Sequence, residues 1–209
     1  MAKKHKAPPG LDYDPVSGEN PDVSFGVVKA EAGEGLPRRM LADVLFKRAF
    51  PTDKLDPSQP WTTPTADRFE VLLCRGAPDE YSDPQALAQA YHRNDRGLIK
   101  DVAAVVTLRH PETDDPSGRM RLHEAYSLSR TLGAWLCDEF SIAVVTAFHV
   151  PGRSWGLGMP HTHLICPVRT IRPGSGFTTF VMPLINADEG RAIIDREWKR
   201  VREEAGYAG

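Results

Sequence analysis

Apolar residues recur along this chain with two periods that alternate from one segment to the next. Val23-Ser-Phe-Gly-Val-Val-Lys29 carries β-branched and aromatic residues as a strand does, with Gly26 interrupting it. Beyond a glycine-rich turn at 33–35, Met40, Leu41, Val44, Leu45 and Ala49 fall at helical spacing with Pro37 near the first turn, which predicts a short helix over 37–50. Prolines at 51, 57, 60 and 64 then impose a loop, and Arg68-Phe-Glu-Val-Leu-Leu-Cys74 reads as a second strand. Ser82-Asp83-Pro84 is a helix start signal, followed by Leu87, Ala90, Tyr91 and Leu98 on one side. Ala103 to Leu108 is apolar enough for a central strand, and 110–118 is a polar turn. From Arg119 to Phe140, Leu122, Ala125, Leu128, Leu132, Trp135 and Leu136 stand at steps of three and four, the strongest helical pattern in the chain. Ser141 to His149 and His161 to Cys166 are two more strands, joined by an eleven-residue loop rich in glycine and proline, and 188–204 is a final amphipathic helix.

Strands four and five follow each other as a hairpin, so they pair antiparallel. The expected architecture is α+β: a roughly five-stranded antiparallel sheet with helices mainly on one face, the other face left for a site. Residues 1–22 hold Pro8, Pro9, Pro15 and Pro21 among polar residues and read as a flexible arm, with a single domain over 23–209. Apolar residues at 41% and charged residues at 26% of 209 are ordinary for a folded chain and exclude collagen, coiled coil and wholesale disorder. No apolar run approaches the roughly eighteen residues of a membrane span, and Met1-Ala-Lys-Lys-His-Lys leads into Pro8-Pro9-Gly10 rather than a signal segment, so a cytoplasmic address is expected. Cys74, Cys137 and Cys166 are too few and too scattered for a disulfide framework or a four-thiolate zinc site, and are expected as buried thiols.

The chemistry concentrates in histidine. His161 and His163 are two apart on a strand and share a face, and the hairpin brings His149, at the end of the preceding strand, alongside them. Three neutral imidazoles fill part of a metal's coordination sphere and leave positions open for water or substrate oxygens. Other histidine motifs do not fit: no His-Glu-x-x-His occurs, and Ile165 stands where a third alternating histidine would be needed. With 26 basic and 28 acidic residues the formal charge is −2, so any grip on nucleic acid has to be local; Lys3-Lys4-Lys6, Arg38-Arg39 and Lys47-Arg48 are the candidate patches.

Met159-Pro-His-Thr-His-Leu-Ile-Cys-Pro-Val-Arg169 resembles the Asn-Pro-His-Ala-His segment, with its downstream arginine, of the MobA/MobL mobilisation relaxases within the HUH endonuclease superfamily. Val144 to His149 resembles the family strand that ends in the third metal-binding histidine, and Phe69 to Pro78 its early strand with an acidic residue at Glu70; the order of elements matches over 23–205. The resemblance implies an HUH relaxase-like fold in which His149, His161 and His163 hold a divalent ion (Mg, Mn or Zn). It further implies that Glu70 is an acidic active-site residue and that the partner is single-stranded or transfer-origin DNA, for which Arg169 of the family segment and the charge patches Arg38, Arg39, Lys47 and Arg48 are the expected contacts. Mobilisation accessory proteins are the implied partners, and a tyrosine attacks the backbone phosphate. The family tyrosine falls in the first helix, where this chain has Leu45 and Phe46, and phenylalanine has no oxygen with which to attack phosphorus. Three readings stand: a metal- and DNA-binding relaxase-like protein without tyrosine-dependent nicking, an active enzyme using Tyr13, Tyr91, Tyr126, Tyr207 or a metal-bound water, and a non-catalytic protein-binding descendant.

Overall fold

In the computed structural model, residues 12–207 are described apart from 32–33, 52–59, 62, 94, 96, 115–118 and 155–157. The predicted strands appear as β1 (Val23–Lys29), β2 (Arg68–Leu72), β3 (Asp101–Arg109), β4 (Val144–His149) and β5 (His161–Pro167). They form one sheet in the order β1-β3-β5-β4-β2, with every neighbouring pair antiparallel. The two strands that carry the histidines thus lie inside the sheet, where register is fixed from both sides.

Side-chain alternation divides the sheet into two faces. Phe25, Val106, Leu108, Leu164 and Phe148 point to one of them, and against it pack the two long helices, α3 (Leu122–Phe140) and α6 (Ala187–Glu204). Leu132, Leu136, Ile194 and Trp198 of those helices are fully or almost fully buried there, each removal from water contributing about 1.5–3 kcal/mol. Gly190 of α6 lets the helix backbone close on Phe25, since a Cβ there would fall 2.4 Å from the ring.

The opposite face is only partly covered. The short α1 (Leu41–Ala49) leans on β4 and β5 and packs against α2 (Pro84–His92). Asp83 caps α2 by accepting from Ala86 N at 2.7 Å, with Pro84 at the first helical position, as the start signal predicts. The first amide of α1, Leu41 N, donates to Nε2 of His92 at 2.9 Å, so the start of α1 is tied to the last residue of α2. The helix expected over 37–50 is shorter because Arg39 N is drawn to Ala30 O and Met40 is extended. The helix expected to run on to Leu98 ends at His92, and Leu98 is exposed.

The sequence pattern does not predict the hairpin of β6 (Arg169–Arg172) and β7 (Gly176–Phe180), nor the helical turns α4 (Pro151–Ser154) and α5 (Met182–Ile185). Of the arm expected over 1–22, residues 1–11 lie outside the described residues and 12–22 are built onto β1: Val16 pairs with Phe25, and Tyr13 is buried. Gly26 is the seat for that ring, since a Cβ there would lie 2.2 Å from Tyr13 Cδ2. The three cysteines are free and buried. No helix among the described residues is long and apolar enough to cross a membrane.

Candidate metal centre

In the β4–β5 ladder His149 stands opposite His161, and Ala147 opposite His163, so all three histidines project from one face. It is the face opposite α3 and α6. Their ring centroids are 5.0–5.3 Å apart. Each offers one ring nitrogen, and the three nitrogens lie within 4.8 Å of one another. The outer sides of two rings are occupied: His161 Nδ1 lies 2.9 Å from the carbonyl of Met159, and His163 Nδ1 lies 2.8 Å from the hydroxyl of Thr107, which faces His163 across the β3–β5 ladder. Partners on Nδ1 leave Nε2 of both rings for an ion.

Burial keeps these rings neutral. His149 is pushed down to about 3 by desolvation, with His161 and Arg48 adding repulsion. Desolvation also lowers His161, against the partial support of the Met159 carbonyl, and lowers His163 far below the ordinary histidine range, where its two neighbours and Arg48 add to the effect. Neutral imidazoles keep the in-plane lone pair that a metal requires. Three such donors converging from adjacent strands suit a divalent ion and leave positions open, so His149, His161 and His163 can hold a metal.

Arg48, on α1, is buried beside this cluster and is neutralised by Asp12 through two bonds of 2.6 and 2.5 Å. Burial opposes the charge on Asp12, but the guanidinium outweighs it and holds the carboxyl below the usual carboxylate range. Phe46 lies on the same helix in an apolar cluster with Phe50 and Trp61, its ring 4.8 and 5.6 Å from theirs. Tyr13 is linked to the histidines through Thr107, its hydroxyl 3.2 Å from the Thr107 Oγ1 that contacts His163. The other four serve elsewhere: Tyr81 stacks on Phe177, Tyr91 donates to the carbonyl of Asp101, Tyr126 donates to Glu70, and Tyr207 interacts with Glu124.

Glu70 is not part of this cluster. It pairs with Thr146, one residue out of phase with Ala147, so it points to the other face, where Tyr126 and Arg130 hold its carboxylate. Several basic residues expected at a DNA surface have protein partners instead. Arg169 donates to the carbonyls of Thr178, Tyr91 and Phe177, Arg38 donates to Ile99 O and pairs with Asp95, and Arg39 donates to Lys29 O. Lys47 is exposed on α1. Sequence reasoning missed a different basic surface: a cleft of about 380 Å³ on the Glu70 side of the sheet, lined by Arg68, Arg121, His123 and Arg153 with Tyr126 and Phe148. Among the described residues that line it, Asp67, paired with Arg153, is the one acidic group. Phe148 and His149 are consecutive, so the cleft and the histidines lie on opposite sides of the same strand end.

No protein family matches this chain, and no curated protein does. Its fold is similar to that of a solved structure concerned with the molecular basis of vancomycin resistance transfer in Staphylococcus aureus. The TM-score is 0.62 at 19% identity, over 90% of this chain and 94% of that one. At this identity the likeness is one of fold, and it agrees with an α+β protein built on a five-stranded antiparallel sheet.

Proposed function

We propose that this chain is a relaxase-like protein of the MobA/MobL type that binds a divalent metal and single-stranded DNA in conjugative mobilisation or on a mobile element, and that it lacks tyrosine-dependent strand nicking. The observation that carries the reading is the convergence of three neutral imidazoles from β4 and β5 on one face of the sheet. A fold shared with a protein studied for resistance transfer supports the same direction. A divalent ion held by His149, His161 and His163 would supply Lewis acidity toward phosphate oxygens. The chain's own part is to keep the rings uncharged and aimed. Mobilisation accessory proteins are the expected partners.

Loss of nicking is supported by Phe46 in the first helix and by the partners of four tyrosine hydroxyls, those of Tyr13, Tyr91, Tyr126 and Tyr207. One observation favours an active alternative, the single hydroxyl that separates Tyr13 from His163. Incubation with single-stranded oligonucleotides separates the two: the proposed reading expects no denaturant-resistant protein–DNA adduct, and an adduct lost in Tyr13→Phe would establish the alternative. Metal content is the more basic test. The purified protein should take up a divalent transition metal, and His161→Ala/His163→Ala should abolish uptake; unchanged metal content in the double variant would remove the site.

A further inference from the structure

We propose that two residues of the N-terminal segment, Asp12 and Tyr13, are positioning residues of the metal centre: Tyr13 clamps Thr107 against His163, and Asp12 cancels the charge of Arg48 beside the histidines. The inference deepens the metal-site reading and rests on it.

Thr107 Oγ1 has one proton and two lone pairs, so it can accept from His163 Nδ1–H while sharing its other hydrogen bond with the Tyr13 hydroxyl. That leaves Nε2 of His163 as the donor toward the ion, with the ring plane fixed from behind. A threonine rotor alone holds a ring loosely. The tyrosine makes it rigid, because the Tyr13 ring is 5% exposed, lies on Gly26, and is followed three residues later by the Val16–Phe25 bridge. Asp12 acts through charge. Arg48 is buried on α1, which packs against β4 and β5, the strands that carry the histidines, and an unopposed guanidinium on that side of the sheet would repel a divalent ion. The two-bond pair with Asp12 removes that repulsion and pins α1 and the N-terminal segment to the same side of the sheet. Residues 12 and 13 are adjacent, so one short stretch of chain serves both the orientation of a ligand and the electrostatics of the site.

Because coupling between two events is reciprocal, a segment that strengthens metal binding must itself be held more tightly when metal is bound. Co(II) titration of the full chain, followed by visible absorption, and hydrogen exchange of residues 12–16 with and without Co(II) read the two sides. Thr107→Val should weaken Co(II) binding about 10-fold or more and alter the Co(II) spectrum. Thr107→Ser should restore both, and Tyr13→Phe and Asp12→Asn should each weaken binding to a smaller degree. Exchange at 12–16 should slow on adding Co(II) to the unaltered chain and not in Thr107→Val. If the unaltered chain binds Co(II) through its histidines while Thr107→Val, Tyr13→Phe and Asp12→Asn keep the same affinity, spectrum and exchange, the positioning role is overturned and the metal site stands. If the unaltered chain takes up no Co(II), both fall.

Discussion

His110 begins a stretch that reads as a polar turn, yet its ring is fully buried between Phe148 and Trp198, with Nε2 3.1 Å from Ser129 Oγ and 3.2 Å from Thr162 Oγ1. Desolvation drives it from an ordinary 6.5 down to about 4, the nearby Glu112 compensating only in part. In the folded state it therefore binds its proton less readily than in the unfolded chain. Between those two values the unfolded state carries the extra proton, so stability rises with pH across that window and falls as the solution is acidified through it. Going from pH 7 to pH 5 should cost about 2 kcal/mol from this residue alone. Urea unfolding at both pH values checks it: His110→Gln should show a smaller loss by about that amount, and an identical loss would mean that His110 is not the buried neutral base described. The three metal-centre histidines were legible because period-two spacing and one hairpin place them together. Thr107 was not, because it is remote in sequence from His163 and looks like ordinary strand. Tyr13 and Arg48 stand out in the sequence only as a replacement nucleophile and a DNA contact, since their partners Thr107 and Asp12 are far from them along the chain.

At the level of elements, patterns with a local cause were read correctly and those with a tertiary cause were not. The period of α3 comes from its own buried stripe, Ala125, Leu128, Leu132 and Leu136, and its extent differs from expectation only at the first turn. The start of α1 is set by a histidine on another helix, and β6 and β7 are short, half-exposed strands whose Thr and Arg content carries no apolar alternation. Prolines and polar residues of the N-terminal segment signal disorder, and in its described part Tyr13 and Val16 find partners on β1 that only the folded sheet provides. The end of α3 shows what such junctions cost. Ser141 adopts a left-handed conformation with φ of 51° and ψ of 47°, and its carbonyl accepts from Ile171 N at 2.7 Å, so the junction is fixed between helix and hairpin. For a residue with a Cβ this conformation costs about 1–2 kcal/mol, part of which glycine returns through its freer unfolded state. Ser141→Gly should therefore stabilise the protein by about 0.5–1 kcal/mol and raise the melting temperature by roughly 2 °C. A lower melting temperature would mean that the serine side chain makes a compensating contact.

Across the whole molecule, a net charge of −2 sits uneasily with a protein proposed to hold DNA, and the arrangement of charge resolves the tension. Cations that the sequence offers as patches are largely turned inward: Arg48 faces Asp12, Arg169 bonds three carbonyls, and Arg38 ties the turn at Asp95. Arg68 and Arg121, at the β2 edge, line the cleft beside the end of β4. The cleft lies on the other side of the β4 end from the histidines, so a single strand proposed to touch both has to pass that end. Each phosphate neutralised on a single strand contributes about −0.7 to the slope of log K against log salt. Arg68→Ala/Arg121→Ala should therefore flatten the salt dependence of oligonucleotide binding by about 1.4, without changing metal uptake. His161→Ala/His163→Ala should do the reverse, leaving the salt slope intact while removing any metal-dependent increment in affinity. Fluorescence anisotropy over a salt series, with and without metal, separates these terms. A slope unchanged by loss of both arginines would place the DNA elsewhere, and an oligonucleotide affinity indifferent to salt would mean that this fold has kept its histidines and left nucleic acid behind.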